Sequence, residues 1–103
     1  MTDHAADIKR YVTDVNASAV DAIVRYCGIA LQKTDSSLVA TSDPNELATV
    51  RDGFAARKLG LAAEAADTGI RTVVQQMKDD HRKHRVTFYY LLAMATGTLS
   101  KLG

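Results

Sequence analysis

From Phe88 to Ala95 the chain runs eight residues, FYYLLAMA, without one strongly polar side chain. Any fold this sequence adopts has to bury that run. Val86 and Thr87 precede it, and Thr96 leads to a stop at Gly97. A helix that is apolar almost all round belongs inside a fold. Val86, Thr87, Phe88, Tyr89 and Tyr90 also suit a strand, whereas Leu91, Leu92, Ala93, Met94 and Ala95 tip the balance towards helix. Eight residues fall well short of the roughly 20 that span hydrocarbon, so the run predicts a central helix and no membrane span. A chain of 103 residues with 47% apolar content has material for one core, given about 100–200 residues per domain. One helical domain over 1–103 is expected.

The remaining elements must wrap that helix, and the breakers show where. Gly28, Gly53, Gly60, Gly69, Gly97 and Pro44 separate stretches rich in Ala, Leu, Lys, Arg and Glu, while the Asn-Gly and Gly-Gly hairpin signals are absent. A first helix is predicted from Thr2 or Asp3 to about Val15, with Ile8, Tyr11, Val12 and Val15 at i, i+3, i+4 and i+7. Ser18 should open a second, with Asp21 at N3 and Val20, Ile23, Val24 and Cys27 inward. Gly28 ends it or merely interrupts it. Gln32 to Asp43 is a polar connection whose Leu38, Val39 and Ala40 must dock on the core, and a helical turn begun by Asp35 would carry them there. Asp43-Pro44-Asn45-Glu46 is the clearest helix start: a cap, a proline at N1 and a glutamate at N3 to close a capping box. Leu47, Val50, Phe54 and Leu59 share a face of that helix, and Gly60 is its expected C′ residue. Asp67 or Thr68 should cap the next helix, with Ile70, Val73, Val74 and Met77 inward. The architecture expected is all-α: a compact bundle of four to five short helices around a buried C-terminal helix.

Charge and cysteine content narrow the partners. Thirteen basic and twelve acidic residues leave a net charge of +1, which gives no global attraction to nucleic acid or anionic lipid. The lone Cys27 cannot form an intramolecular disulfide, and MTDHAADIKR lacks the basic-then-apolar pattern of a secretory signal. A cytoplasmic protein is expected.

The order of motifs then becomes specific. Tyr26-Cys27-Gly28-Ile29-Ala30-Leu31, Asp35 with Ser37-Leu38-Val39, Ser42-Asp43-Pro44, Glu46-Leu47, Val50-Arg51, Lys58-Leu59-Gly60 and Arg85-Val86-Thr87 followed by Tyr89-Tyr90-Leu91-Leu92-Ala93 span nearly the whole chain. Together they resemble the bacterial family designated domain of unknown function 2853. The resemblance implies a small, soluble, stand-alone helical protein. It implies no reaction and transfers no catalytic or ligand residue.

Function must then be sought in clusters. Lys78, Arg82, Lys83 and Arg85 gather four positive charges within eight residues and are the candidate anion or nucleic-acid contacts, with Tyr89 and Tyr90 as stacking surfaces nearby. On an unbroken helix Lys78, Arg82 and Arg85 would share a face. Asp79 and Asp80 halve that charge, and with a near-neutral chain the favoured reading of such a segment is a solvated helix C-terminus satisfying its own dipole. Asp80, His81 and His84, like His4 with Asp7, have spacing that permits a metal but lack a ligating motif, so no metal and no other cofactor is assigned. Cys27 reads as core packing rather than as a nucleophile. Ser36, Ser37, Thr41 and Ser42 stand outside any nucleophile elbow. No catalytic residue is assigned, and enzymatic chemistry has no positive support. The expected role is non-catalytic, through contacts with an unknown protein partner or with self, Leu99 and Leu102 being surplus aliphatics for such a contact. The alternatives are weak nucleic-acid or phosphate binding through residues 78–85, or an enzyme whose site sequence does not reveal.

Overall fold

A computed structural model describes residues 4–28, 37–80 and 83–102. Its order is α1 (His4–Ile8), α2 (Ala17–Cys27), α3 (Pro44–Val50) continuing into a π-helical segment (Arg51–Lys58), α4 (Ala63–Gln76), α5 (Arg85–Ala95) and a 3₁₀ turn (Leu99–Lys101). Among the described residues, extended pairing is confined to one antiparallel bridge, Leu38 to His84. The expected all-α architecture is what forms. No helix among the described residues is long and apolar enough to cross a membrane.

Helix α5 is the centre. Residues Val86 to Ala93 are all buried, and α1, α2 and α4 pack directly against it. Each large aliphatic or aromatic side chain so enclosed contributes about 1.5–3 kcal/mol relative to exposure. The sequence predicts burial along the full apolar run, but Met94 is 43% exposed and Ala95 is exposed too. At the helix end Gly97 takes φ +70, and the Thr98 amide reaches back to the Ala93 carbonyl at 2.8 Å. That is the glycine-terminated closure its position foretells.

Several boundaries differ from the sequence reading, for local reasons. Helix α1 stops at Ile8 rather than Val15, because the Arg10 and Tyr11 amides turn to Asp7 and Ile8 carbonyls three residues back and end the α pattern. Helix α2 is capped by Asn16, not Ser18: the Asn16 side chain accepts from the Ala19 amide at 3.1 Å. Gly28, at φ +48, ends α2. The turn expected at Asp35 lies outside the described residues. Val39 docks on the core at 4% exposure, and its amide donates to the Lys83 carbonyl at 2.8 Å.

The start of α3 is where Asp43 places it, with its carboxylate accepting from the Asn45 amide at 2.9 Å and Pro44 in the first turn. The capping box does not close. The Asp43 amide donates to the Ala40 carbonyl instead, which leaves Glu46 for Arg85. After Val50 the helix widens to i→i+5 pairing, as in the Leu59 amide to the Phe54 carbonyl at 3.3 Å. The wider turn brings Phe54 and Leu59, five apart, both inward, at 1% and 0% exposure. Gly60 follows with φ +65. Helix α4 begins at Ala63, ahead of the predicted Asp67 or Thr68, because the Ala-rich stretch before them is itself a good helix former. Thr68 instead bonds back to the Glu64 carbonyl at 3.0 Å.

Candidate functional site

The basic segment does not form one helical face. Helix α4 ends at Gln76 and α5 begins at Arg85, so Lys78 follows one helix while Arg85 opens the next. Lys78 is exposed. Lys83 is half-buried and its ammonium donates to the Asp80 carbonyl at 2.7 Å. Arg82 and His81 lie outside the described residues.

Arg85 is committed to the fold. Its guanidinium pairs with Glu46, donates to the Tyr89 hydroxyl at 3.0 Å and to the Leu38 carbonyl at 3.2 Å, and its side chain is 11% exposed. Burial opposes the Arg85 charge, but Tyr89 and Glu46 outweigh it and hold the group above its ordinary value. The same residue lies over the Tyr89 ring, 5.7 Å from its centroid. Tyr89 in turn stacks on Phe54 at 4.1 Å and 15°, and Tyr26 meets both rings edge-on. These contacts tie α2, α3 with its π-helical extension, and α5 together at one end of the bundle. Tyr89 is thus a packing residue at 5% exposure, and Tyr90 is enclosed at 1%. Neither offers a ring face for stacking a base.

Cys27 borders this cluster, buried. Burial pushes its thiol up to about 11 against a small opposing pull from Arg85. The neutral thiol is a poor nucleophile, in keeping with a core role. Leu99 and Leu102 also turn inward: Leu102 is 8% exposed and Leu99 packs against the core. Leu102 is thus spent on the core, and Leu99 is left only partly exposed. Among the described residues no group of three or more His, Cys, Asp or Glu side chains could hold a metal ion.

Besides Tyr26 at 39%, the exposed large hydrophobic among the described residues is Met94 at 43%, and it borders an apolar groove. That groove, of about 240 Å³, runs between α4 and α5, lined by Val12, Thr72, Gln76, Leu91, Met94 and Ala95. No lining side chain is ionisable. What such a groove can do chemically is bury apolar surface, and the unbranched thioether of Met94 adapts readily to an opposing shape.

The match of the chain to a family model decides its relatives: the model described as a protein of unknown function, DUF2853, covers residues 3–100. The chain belongs to the DUF2853 family. The resemblance carried by the motif order is thereby established, and the family description assigns DUF2853 no activity. No curated protein matches the chain.

Sequence reasoning missed the groove. Met94 reads as one more buried residue of an apolar run, and nothing local distinguishes it. The missing information is tertiary: Gly69 of α4 packs closely on Leu92 and Thr96 at the end of α5, while Met94, two residues from either, is left exposed.

Proposed function

We propose that this DUF2853 protein acts without catalysis, in the cytoplasm, through protein contacts at the α4–α5 groove, and that the occupant of the groove is a second copy of the chain. The observation that carries the reading is Met94, 43% exposed on a helix whose residues 86–93 are all buried. A two-fold axis near Met94 would set each copy's methionine into the other's hollow, since projection and hollow belong to one patch. The uncharged lining places no like charges against each other across that axis. The patch is small beside the ~800 Å² per partner of a standard stable interface, so the dimer is weak. The free, buried Cys27 suits a reducing compartment.

Sedimentation equilibrium tests this. Wild-type protein self-associates with rising concentration, and Met94→Glu stays monomeric with unchanged helical circular dichroism. A wild type that is strictly monomeric up to millimolar concentration overturns it. The phosphate-binding reading of Lys78, Arg82, Lys83 and Arg85 has less support, because Arg85 is engaged by Glu46 and Lys83 by a backbone carbonyl.

A further inference from the structure

Thr87, Leu91, Met94 and Ala95 fall at i, i+4, i+7 and i+8 and so form one stripe along α5. The end of the stripe is the open groove; its beginning is covered. Thr87, 0% exposed, donates its hydroxyl to Asp7 of α1, and Ile8 beside Asp7 is buried at 0%. Four residues beyond Ile8, Val12 lines the groove. One stretch of chain therefore covers the first half of the stripe and walls the second.

That stretch has little stability of its own. Helix α1 has five residues, far fewer than the ~12–15 at which an isolated helix becomes even marginal. It is held from outside. The Tyr11 hydroxyl donates to the Asp80 carboxylate at 2.7 Å, and the Arg10 guanidinium bridges Asp7 and Asp80 at 2.6 and 3.1 Å. Arg10 is 53% exposed, so its share of this hold is small. Behind the strap, the Asn16 amide donates to the Tyr90 hydroxyl at 2.8 Å, which fixes the point where α2 begins.

We propose that residues 4–12 are a strap hinged ahead of Asn16 and latched on Asp80, and that its opening lengthens the α4–α5 groove over Leu91 to Thr87. The inference rests on the self-association reading, since the lengthened stripe is the surface a second copy would take. The latch thus regulates how much apolar surface the pair can share.

Hydrogen-exchange mass spectrometry on the full chain, with sedimentation on the same samples, tests it. In wild type the amides of Lys9 to Val12 exchange faster than those of α5. Asp80→Asn weakens a charge-assisted latch, so exchange at 9–12 rises about tenfold or more while α5 is unchanged, and self-association tightens several-fold. Tyr11→Phe, which keeps the ring packing, gives a smaller change of the same pattern should Asp80→Asn fail to fold. Exchange that stays as slow at 9–12 as in α5, or that rises equally in both, overturns the strap. A local rise with an unchanged dimer constant overturns its regulatory role. If wild type and variants are all monomeric, the self-association reading and the regulatory role fall together, and the exchange contrast still decides whether the strap exists.

Discussion

Arg85 and Glu46, 39 positions apart, form the ion pair that joins the first turn of α5 to the first turn of α3. Their side chains are 11% and 24% exposed, so neither charge is well hydrated once its partner is removed. Glu46→Ala is expected to destabilise the fold by about 2–4 kcal/mol, towards the lower end because Tyr89 and the Leu38 carbonyl still receive the guanidinium. Glu46→Gln, which keeps an acceptor, should cost less. Urea unfolding measures both, and a loss below about 0.5 kcal/mol, the range of an exposed pair, would contradict the clamp.

Gly69 and Gly53 should respond to alanine with opposite signs. A Cβ at Gly69 would stand 2.6 Å from Thr96 Cγ2 and 2.8 Å from Leu92 Cδ1. Thr96 cannot turn away freely, since its hydroxyl bonds the Leu92 carbonyl at 2.9 Å and Thr98 Oγ1 at 2.8 Å. Overpacking of about 1–3 kcal/mol exceeds the ~1 kcal/mol gained in helix propensity, so Gly69→Ala destabilises. At Gly53 a Cβ meets Tyr26 Oη at 3.6 Å, an ordinary contact, and the substitution should stabilise by about 0.5–1 kcal/mol. Thermal melts of the two variants check the signs.

Stability should fall in alkali through two neutral groups, the buried Cys27 and the half-buried Tyr11. Burial, foremost, raises Cys27 from 9.0 to about 11, and burial with the Asp80 hydrogen bond raises Tyr11 from 10.0 to about 12. A raised value means that the folded state favours the protonated form. The contribution is complete below the unfolded value and is lost as pH climbs through the folded one. Unfolding free energy is expected to decline across pH 9 to 12. Cys27→Ala should flatten the lower part of that decline, and Tyr11→Phe the upper part. Equal slopes in wild type and both variants would contradict these assignments.

Iodoacetamide reports on Cys27 independently. At pH 8 the native thiol, buried and neutral, should react many times more slowly than the same thiol in urea. Comparable rates would place Cys27 in an open, activated environment.

What was legible in the sequence was whatever local chemistry decides. Asp43 with Pro44, the closures at Gly60 and Gly97, and the inward Val20, Ile23 and Cys27 are each set by capping, left-handed backbone or periodicity. Glu46 shows where local reasoning ends: the capping-box pattern is present, but a buried arginine 39 residues away is the stronger partner. Arg85 reads as part of a basic surface for the matching reason, that a charge count does not reveal which cation finds a carboxylate inside the fold. Tyr11 points in the same direction. Its spacing places it on the inner stripe of a longer helix, yet its hydroxyl finds Asp80 at 2.7 Å beyond the end of α1. The groove depends on how α4, α5 and the segment holding Val12 come together, and no single element encodes that.

Self-association through Met94 is tested most directly by sedimentation equilibrium of wild type and Met94→Glu, from low micromolar to millimolar concentration. The expected result is a wild-type mass that rises towards twice the monomer value and a variant that stays at the monomer value with its fold intact. A wild type that remains monomeric throughout, or a variant that associates as well as wild type, would contradict it.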